Sequence, residues 1–158
     1  MNVAIRDIGR ILAEHPVFRA FDRDAIELLA GCARNERFRP GTLIFREGDA
    51  ATRLYLLRAG TVAIEIGGPQ RPPLIIETLH AGEILGWSWL VPPHLHSADA
   101  RAIDDVRAVS LDAGCLRDKC DREPALGYLM FKTWSPHMVR RMHAMRLQAL
   151  DLYGAPGG

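Results

Sequence analysis

The sequence is organised around the stretch GEILGWSWLVPPHLHSADARA, residues 82–102. It starts as a short strand, breaks at Gly86, continues as an apolar turn from Trp87 to Val91, closes at Pro92-Pro93 and returns to a strand at Ala100. A glycine turn followed by a single helical turn leaves several backbone N–H groups without strand or helix partners. Such groups converge on anions, because together they form a small positive concavity. The stretch therefore predicts a site for an anionic group.

Helical periodicity occurs at both ends of the chain, and strand periodicity occupies the middle. Apolar spacing predicts a helix over residues 3–14, and Asp22 is a typical N-cap for a second helix over residues 23–33. Short apolar strands then alternate with Pro-Gly, Gly-Asp and Ala-Gly turns, which is typical of a double-sheet jelly roll. We expect a mostly β fold with flanking α, in one domain: N-terminal helices in residues 1–35, a barrel in 36–112 and C-terminal helices in 113–154.

Further motifs accompany this stretch in a fixed order. They are PGT at 40–42 with FREGD at 45–49, YLLRAGTV at 55–62, and Gly82-Glu83 at the entry to the stretch itself. Their order and spacing resemble the cyclic-nucleotide-binding domain of the catabolite activator (Crp/Fnr-like) proteins over residues 15–152. The resemblance implies a double-stranded β-helix jelly roll with a long C-terminal dimerisation helix. It also implies that residues 82–102, hereafter the cassette, form the ligand site.

Two cassette positions depart from the nucleotide-binding members of that family. In those members a glutamate after the second glycine bonds the ribose, and an arginine followed by Ser or Ala pairs with the cyclic phosphate. This chain has Trp87 and His96 at these positions. A mostly neutral imidazole does not reproduce a bidentate arginine contact with phosphate. Tight binding of cyclic AMP in the usual way is therefore not expected, and no cofactor is predicted.

The cleft between the cassette, the sheet interior and the long helix is the candidate ligand site. Two interpretations remain open. In one, a different small ligand places an anionic group on His96 and the cassette amides; in the other, Trp87 and Trp89 fill the cleft and close it. The predicted lining is Glu83, Gly86, Trp87, Ser88, His96, Ser97 and Ala98, with Met145 and Arg146 where the family caps the adenine.

The C-terminal region predicts two helices and a dimer interface. Pro124 opens the first helix, and Ser135-Pro136 resembles an N-cap with proline at the first helical position of the next. A stripe on the second helix is typical of a two-stranded coiled coil and predicts a homodimer; the alternative interpretation is that the stripe packs on the chain's own barrel. This seam consists of Met138, Met142, Met145, Ala149 and Leu152.

Composition restricts the class of protein further. The 158 residues carry a net charge of +1, which provides no general attraction for nucleic acid or membrane surfaces. There is no apolar run of ~20 residues and no signal-peptide core, and three cysteines indicate a reducing, cytoplasmic setting. The resembled regulators continue into a DNA-reading domain, which the sequence in hand does not include. We therefore expect no direct DNA binding and no membrane association.

Other chemical motifs are incomplete. His94 and His96 with Asp99 partly match the metal site of cupin enzymes, but the later histidine is missing, so loop histidines are the preferred interpretation. Cys115 and Cys120 fit neither zinc nor Cys-x-x-Cys spacing; a redox role stays open, and small apolar cysteines are preferred. No catalytic triad or P-loop is visible, so no enzyme is predicted.

We expect a small-molecule-sensing regulatory module that acts through its dimer helix on a protein partner. The alternatives are a constitutive interaction module with a filled pocket and, third, a cupin-like metalloenzyme.

Overall fold

A computed structural model describes residues 3–68 and 70–154. Residues 1–2, Pro69 and residues 155–158 lie outside the described residues. The helices are α1 (Val3–Glu14), α2 (Arg23–Ala30), α3 (Ala113–Arg122) and α4 (Pro124–Gly154). The strands are β1 (Ala33–Phe38), β2 (Leu43–Phe45), β3 (Arg53–Ala59), β4 (Val62–Gly68), β5 (Arg71–Leu79), β6 (Ile84–Leu85), β7 (Asp99–Ala102) and β8 (Val106–Asp112). Short 3₁₀ turns occur at Pro16–Phe18 and Trp87–Trp89.

Two antiparallel sheets of four strands form the barrel, in the orders β1-β8-β3-β6 and β2-β7-β4-β5. This arrangement confirms the predicted jelly roll. The barrel interior combines large apolar side chains from both sheets with alanines of β7 and β8, and includes Leu57, Val62, Ile64, Leu85, Ala100 and Ala108. The β3–β4 turn depends on Gly60, whose φ is +89° and where a Cβ would lie 2.5 Å from the Asp105 carbonyl oxygen.

A second core covers the outer face of the first sheet. The apolar faces of α1, α2, α3 and α4 pack there against alternate residues of β3 and β8, because strand residues of the other parity point into the barrel. Fully buried members include Leu12, Leu29, Leu54, Leu111, Leu116 and Trp134. The helices therefore hold the cassette turn against the barrel, since Trp87 and Trp89 belong to this core.

The long helix α4 runs without a break for 31 residues, through Pro136. The predicted helix boundary at Ser135-Pro136 was therefore wrong. Proline lacks the N–H that would bond the carbonyl four residues earlier, and a mid-helix proline costs about 3 kcal/mol. Tertiary contacts on both sides offset that cost. Trp134 is fully buried, and Arg141 and Gln148 bond to β5.

The cysteines pair differently from the sequence expectation. Cys32 and Cys115 form a disulfide, with a Cα–Cα distance of 5.7 Å, whereas Cys120 is free. The expectation of reduced cysteines was wrong because it ignored strand pairing. Cys32 immediately precedes β1 and Cys115 closely follows β8, and these strands pair from Ala33 opposite Leu111. No helix within the described residues is long and apolar enough to cross a membrane.

Candidate functional site

The cassette turn begins at Gly86, which has a φ of +95°. A Cβ at this position would lie 3.1 Å from the Arg53 carbonyl oxygen, so a larger residue would push the turn away from β3. Gly86 thus lets the chain cross the end of β3 and start the Trp87–Trp89 turn. Glycine at this position brings the cassette backbone close to His96, whose Cε1 is 3.7 Å from the same Cβ position.

Two cassette amides have no acceptor among the described residues, and ligand binding by them stays a prediction. Within residues 3–68 and 70–154, the N–H groups of Ser97 and Ala98 donate to no backbone or side-chain acceptor. Ser97 is exposed, whereas Ala98 is buried. The two N–H groups could bind an anion as backbone donors, but the cassette has no cationic side chain beside them.

His96 occupies the position of the family's phosphate-binding arginine and is buried. Its ring stacks on Phe45 at a centroid distance of 3.5 Å and an interplanar angle of 4°. The backbone also fixes it, because its N–H donates to the Asp49 carbonyl at 2.9 Å and its carbonyl accepts from the Gly48 N–H at 2.8 Å. Burial lowers the pKa of His96 to about 4, against the opposing effect of Asp49. The imidazole is therefore neutral near pH 7 and supplies no charge for a phosphate.

The two tryptophans of the cassette turn have different surroundings. Trp87 lies at the wall of the cassette cleft, where its ring contacts Trp134 edge-on at 6.0 Å and stacks on His137 at 5.8 Å. Trp89 is fully buried on the helical side and packs edge-on against Trp134 at 5.2 Å. Of the two aromatic residues expected to fill the cleft, only Trp87 lines it.

Arg141 of α4 lines the cleft and was not singled out from the sequence as a site residue. Its Nε donates to Oε2 of Glu77 on β5, and the two side chains are only 21% and 26% exposed. The available signal was that Arg141 lies one helical turn before Met145, on the same face.

The cleft that remains is small. The cassette cavity has a volume of about 10 Å³, enough for about one water molecule. Its lining is Phe45, Ile64, Gly86, Trp87, Ser88, His96, Ser97, Ala98 and Arg141. The structure thus brings together six of the seven predicted cassette residues, all but Glu83. Met145 and Arg146 do not line the cavity. Met145 and Arg146 are exposed, because α4 places Arg141 over the cleft instead.

Glu83 lines a neighbouring space, the side cavity, of about 210 Å³. The side cavity lies between β5, the cassette turn and α4, and its lining is Glu77, Leu79, Glu83, Ile84, Trp87, His137, Arg140 and Ala144. Glu77 lines the side cavity and its partner Arg141 lines the cassette cavity. Their ion pair therefore lies between the two spaces.

The partial metal motif is not assembled. His94 Nδ1 lies 3.2 Å from the Ser88 carbonyl oxygen, and Asp99 accepts the Glu47 N–H at 2.7 Å. In the part of the chain that the structure describes, no group of three or more His, Cys, Asp or Glu residues is placed to hold a metal ion.

Comparison with known proteins agrees with the fold. Residues 35–123 match the family model "Cyclic nucleotide-binding domain". A CRP-like cAMP-activated global transcriptional regulator of Mycobacterium tuberculosis is 25% identical over 145 residues, which are 92% of this chain and 63% of the relative. A cyclic AMP receptor protein of Thermus thermophilus is 26% identical over 140 residues, or 87% of this chain and 59% of the relative. The chain thus spans about three-fifths of the length of these relatives.

Solved structures share the fold at lower identity. A putative cyclic nucleotide-binding protein from Geobacter metallireducens has a TM-score of 0.76 at 24% identity, covering 90% of this chain and 100% of that one. The regulatory subunit of a cAMP-independent protein kinase A from Trypanosoma cruzi, bound to guanosine, has a TM-score of 0.72 at 21% identity. That match covers 96% of this chain and 50% of the other. At these identities the likeness shows the fold alone.

Proposed function

Because the chain belongs to the cyclic nucleotide-binding domain family, we propose that it is a regulatory module whose cassette does not hold cyclic nucleotides in the usual way. The module acts through α4 on a protein partner and is not an enzyme. The observation that carries this proposal is the cassette cavity of about 10 Å³, with neutral His96 in place of the arginine. Sites for larger ligands enclose roughly 300–1,000 Å³.

The path from cassette to partner runs through the ion pair of Arg141 and Glu77. This pair fixes the middle of α4 to β5, and Gln148 adds a bond from its Nε2 to the Ile76 carbonyl at 3.3 Å. An anion on the cassette amides would compete with Glu77 for Arg141, because both are negative. Release of Arg141 would then free α4 to move, which is how an occupied cassette changes the surface that the helix presents.

The outer face of α4 supports a homodimer as the working form. Met142 and Met145 of the seam are 58% and 41% exposed, Ala149 is exposed, and Met138 is half-buried against the helical core. The side chain of Leu152 lies outside the described residues. An apolar stripe at heptad spacing is stable in water when a second helix covers it. A second copy of the chain supplies that helix with the same stripe.

A constitutive interaction module with a filled pocket is the second candidate, and the small cassette cavity favours it. The two candidates differ in whether any ligand enters. The guanosine bound to the T. cruzi relative carries no phosphate, so an uncharged nucleoside is a relevant probe beside cyclic AMP and cyclic GMP. All three are suitable for titration calorimetry.

The test is calorimetry on the wild type and on His96→Arg, with His94→Arg in the same loop as the matched control. We expect no binding of cyclic AMP or cyclic GMP to the wild type at about 1 mM. We expect His96→Arg, unlike the control, to gain at least about tenfold in affinity, because it restores a bidentate phosphate contact. Wild-type binding of either nucleotide near 10 μM would refute the proposal. No gain from His96→Arg, with no guanosine binding, would select the constitutive candidate.

A further inference from the structure

The side cavity combines an apolar floor with charged walls. Leu79, Ile84 and Trp87 form the floor, and Glu83, His137 and Arg140 are polar groups around it. The volume of about 210 Å³ is below that of pockets for drug-sized ligands, so it suits a metabolite smaller than a nucleotide. Pockets of this composition orient a ligand through a few polar groups. Here Glu83 and His137 are half-buried and Arg140 is exposed.

Two opposite charges of the side cavity have no ion-pair partner. Within residues 3–68 and 70–154, neither Glu83 nor Arg140 lies within a salt bridge, whereas Glu77 is already paired with Arg141. Glu83 accepts the His80 N–H on Oε2 at 2.6 Å, and its Oε1 accepts no hydrogen bond from the described residues. The side cavity therefore offers one free carboxylate oxygen and one guanidinium on separate walls.

His137 joins the two charged walls without adding a charge. Nη2 of Arg140 lies 2.6 Å from Nδ1 of His137. Because a guanidinium only donates hydrogen bonds, Nδ1 must be the acceptor, and the proton of the neutral ring is on Nε2. Burial and then Arg140 lower the pKa of His137, while Glu83 and Glu77 oppose this. Glu83 and Arg140 line the same cavity as this ring. The ring itself stacks on Trp87, which fixes its orientation.

We propose that the side cavity binds a small zwitterion of the amino-acid type. The ammonium group pairs with Glu83, the carboxylate pairs with Arg140, and an aliphatic side chain lies on the apolar floor. An α-amino acid carries both charges on adjacent groups, so one molecule satisfies both walls. The barrel supplies Glu83 and α4 supplies Arg140, so the ligand fastens α4 to the barrel. The site lies outside the cassette cavity and does not depend on whether that cavity admits a ligand.

The test is calorimetry of the purified protein with L-valine, L-leucine and L-isoleucine. Two single-charge analogues of leucine are the ligand controls: 3-methylbutylamine lacks the carboxylate, and 4-methylpentanoate lacks the ammonium group. We expect saturable binding of at least one amino acid and at least about tenfold weaker binding of each analogue, because each loses one charge-assisted contact. No binding of any of the three amino acids at about 10 mM would overturn the proposal, as would an analogue that binds as tightly as leucine.

Variants locate the binding within the molecule. Glu83→Gln keeps an acceptor for the His80 N–H, and Arg140→Gln keeps a donor for His137, so neither removes the internal hydrogen bond. Each should weaken amino-acid binding by about tenfold, whereas Arg146→Gln, exposed on the same helix, should not change it. Equal affinity of both variants and the wild type would place the binding elsewhere and refute the assignment.

Discussion

Removing the Arg141–Glu77 ion pair should loosen α4 from the barrel. Exposed ion pairs contribute about 0.2–1 kcal/mol, and breaking a fully buried pair costs about 3–5 kcal/mol. The two side chains are 21% and 26% exposed and share a direct hydrogen bond, so the pair falls between these limits. We expect a coupling energy of about 2 kcal/mol, close to the value of a hydrogen bond between charged groups.

A double-mutant cycle measures this coupling. The free energy of unfolding is determined by urea titration, followed by far-UV circular dichroism, for the wild type, Arg141→Gln, Glu77→Gln and the double variant. The pair Arg23 and Glu27 is the matched control. Its side chains are 90% and 53% exposed at 3.3 Å, so its coupling should be about 0.3–0.5 kcal/mol.

A coupling energy for Arg141 and Glu77 no larger than that of the control would refute the argument that this pair holds α4. Release of this pair would then not explain how an occupied cassette moves α4. A coupling near 2 kcal/mol would show that the pair is a strong constraint on the helix.

Three further predictions concern stability and assembly. Reduction of the disulfide should lower the free energy of unfolding by as much as about 4.5 kcal/mol, because the disulfide closes a loop with a sequence separation of 83. Urea titration with and without dithiothreitol measures this loss, and the control variant Cys120→Ser should lose the same amount on reduction. Because His96 is buried and neutral, the free energy of unfolding should fall as the pH falls from about 6.5 to about 4, since the unfolded chain takes up the proton first. Full protonation would cost up to about 3 kcal/mol. The same pH dependence in His96→Gln would contradict this. Met142→Glu should convert the proposed dimer to a monomer in analytical ultracentrifugation, while Leu147→Glu, 63% exposed on another face of α4, should not. A monomeric wild type would rule out the seam.

Much of the fold was predictable because its signals are local. Asp22 was assigned as an N-cap from residue type and position, and its Oδ1 accepts the Ala25 N–H at 2.8 Å. The strands follow from turn residues and apolar runs, and the jelly roll follows from their spacing. The helix boundary at Pro136 failed because a local proline signal was outweighed by distant packing of Trp134.

The parts of the site that the sequence missed depend on contacts between distant residues. The disulfide requires the pairing of β1 with β8, which sequence spacing alone does not reveal. Arg141 and Glu77 are separated by 64 positions, and nothing in either neighbourhood marks them as partners. The substitution of His96 for arginine was visible from the motif, but its burial against Phe45 was not, because the face of the cassette that turns inward depends on β2.

The tryptophan cluster gives this protein an internal spectroscopic probe. The chain has three tryptophans, and Trp87, Trp89 and Trp134 all lie where the cassette turn meets α4. Intrinsic fluorescence therefore reports on this junction and not on an average over the molecule. Because indole emission responds to solvent contact, a spectral shift during titration would show movement of α4 against the cassette without any attached dye.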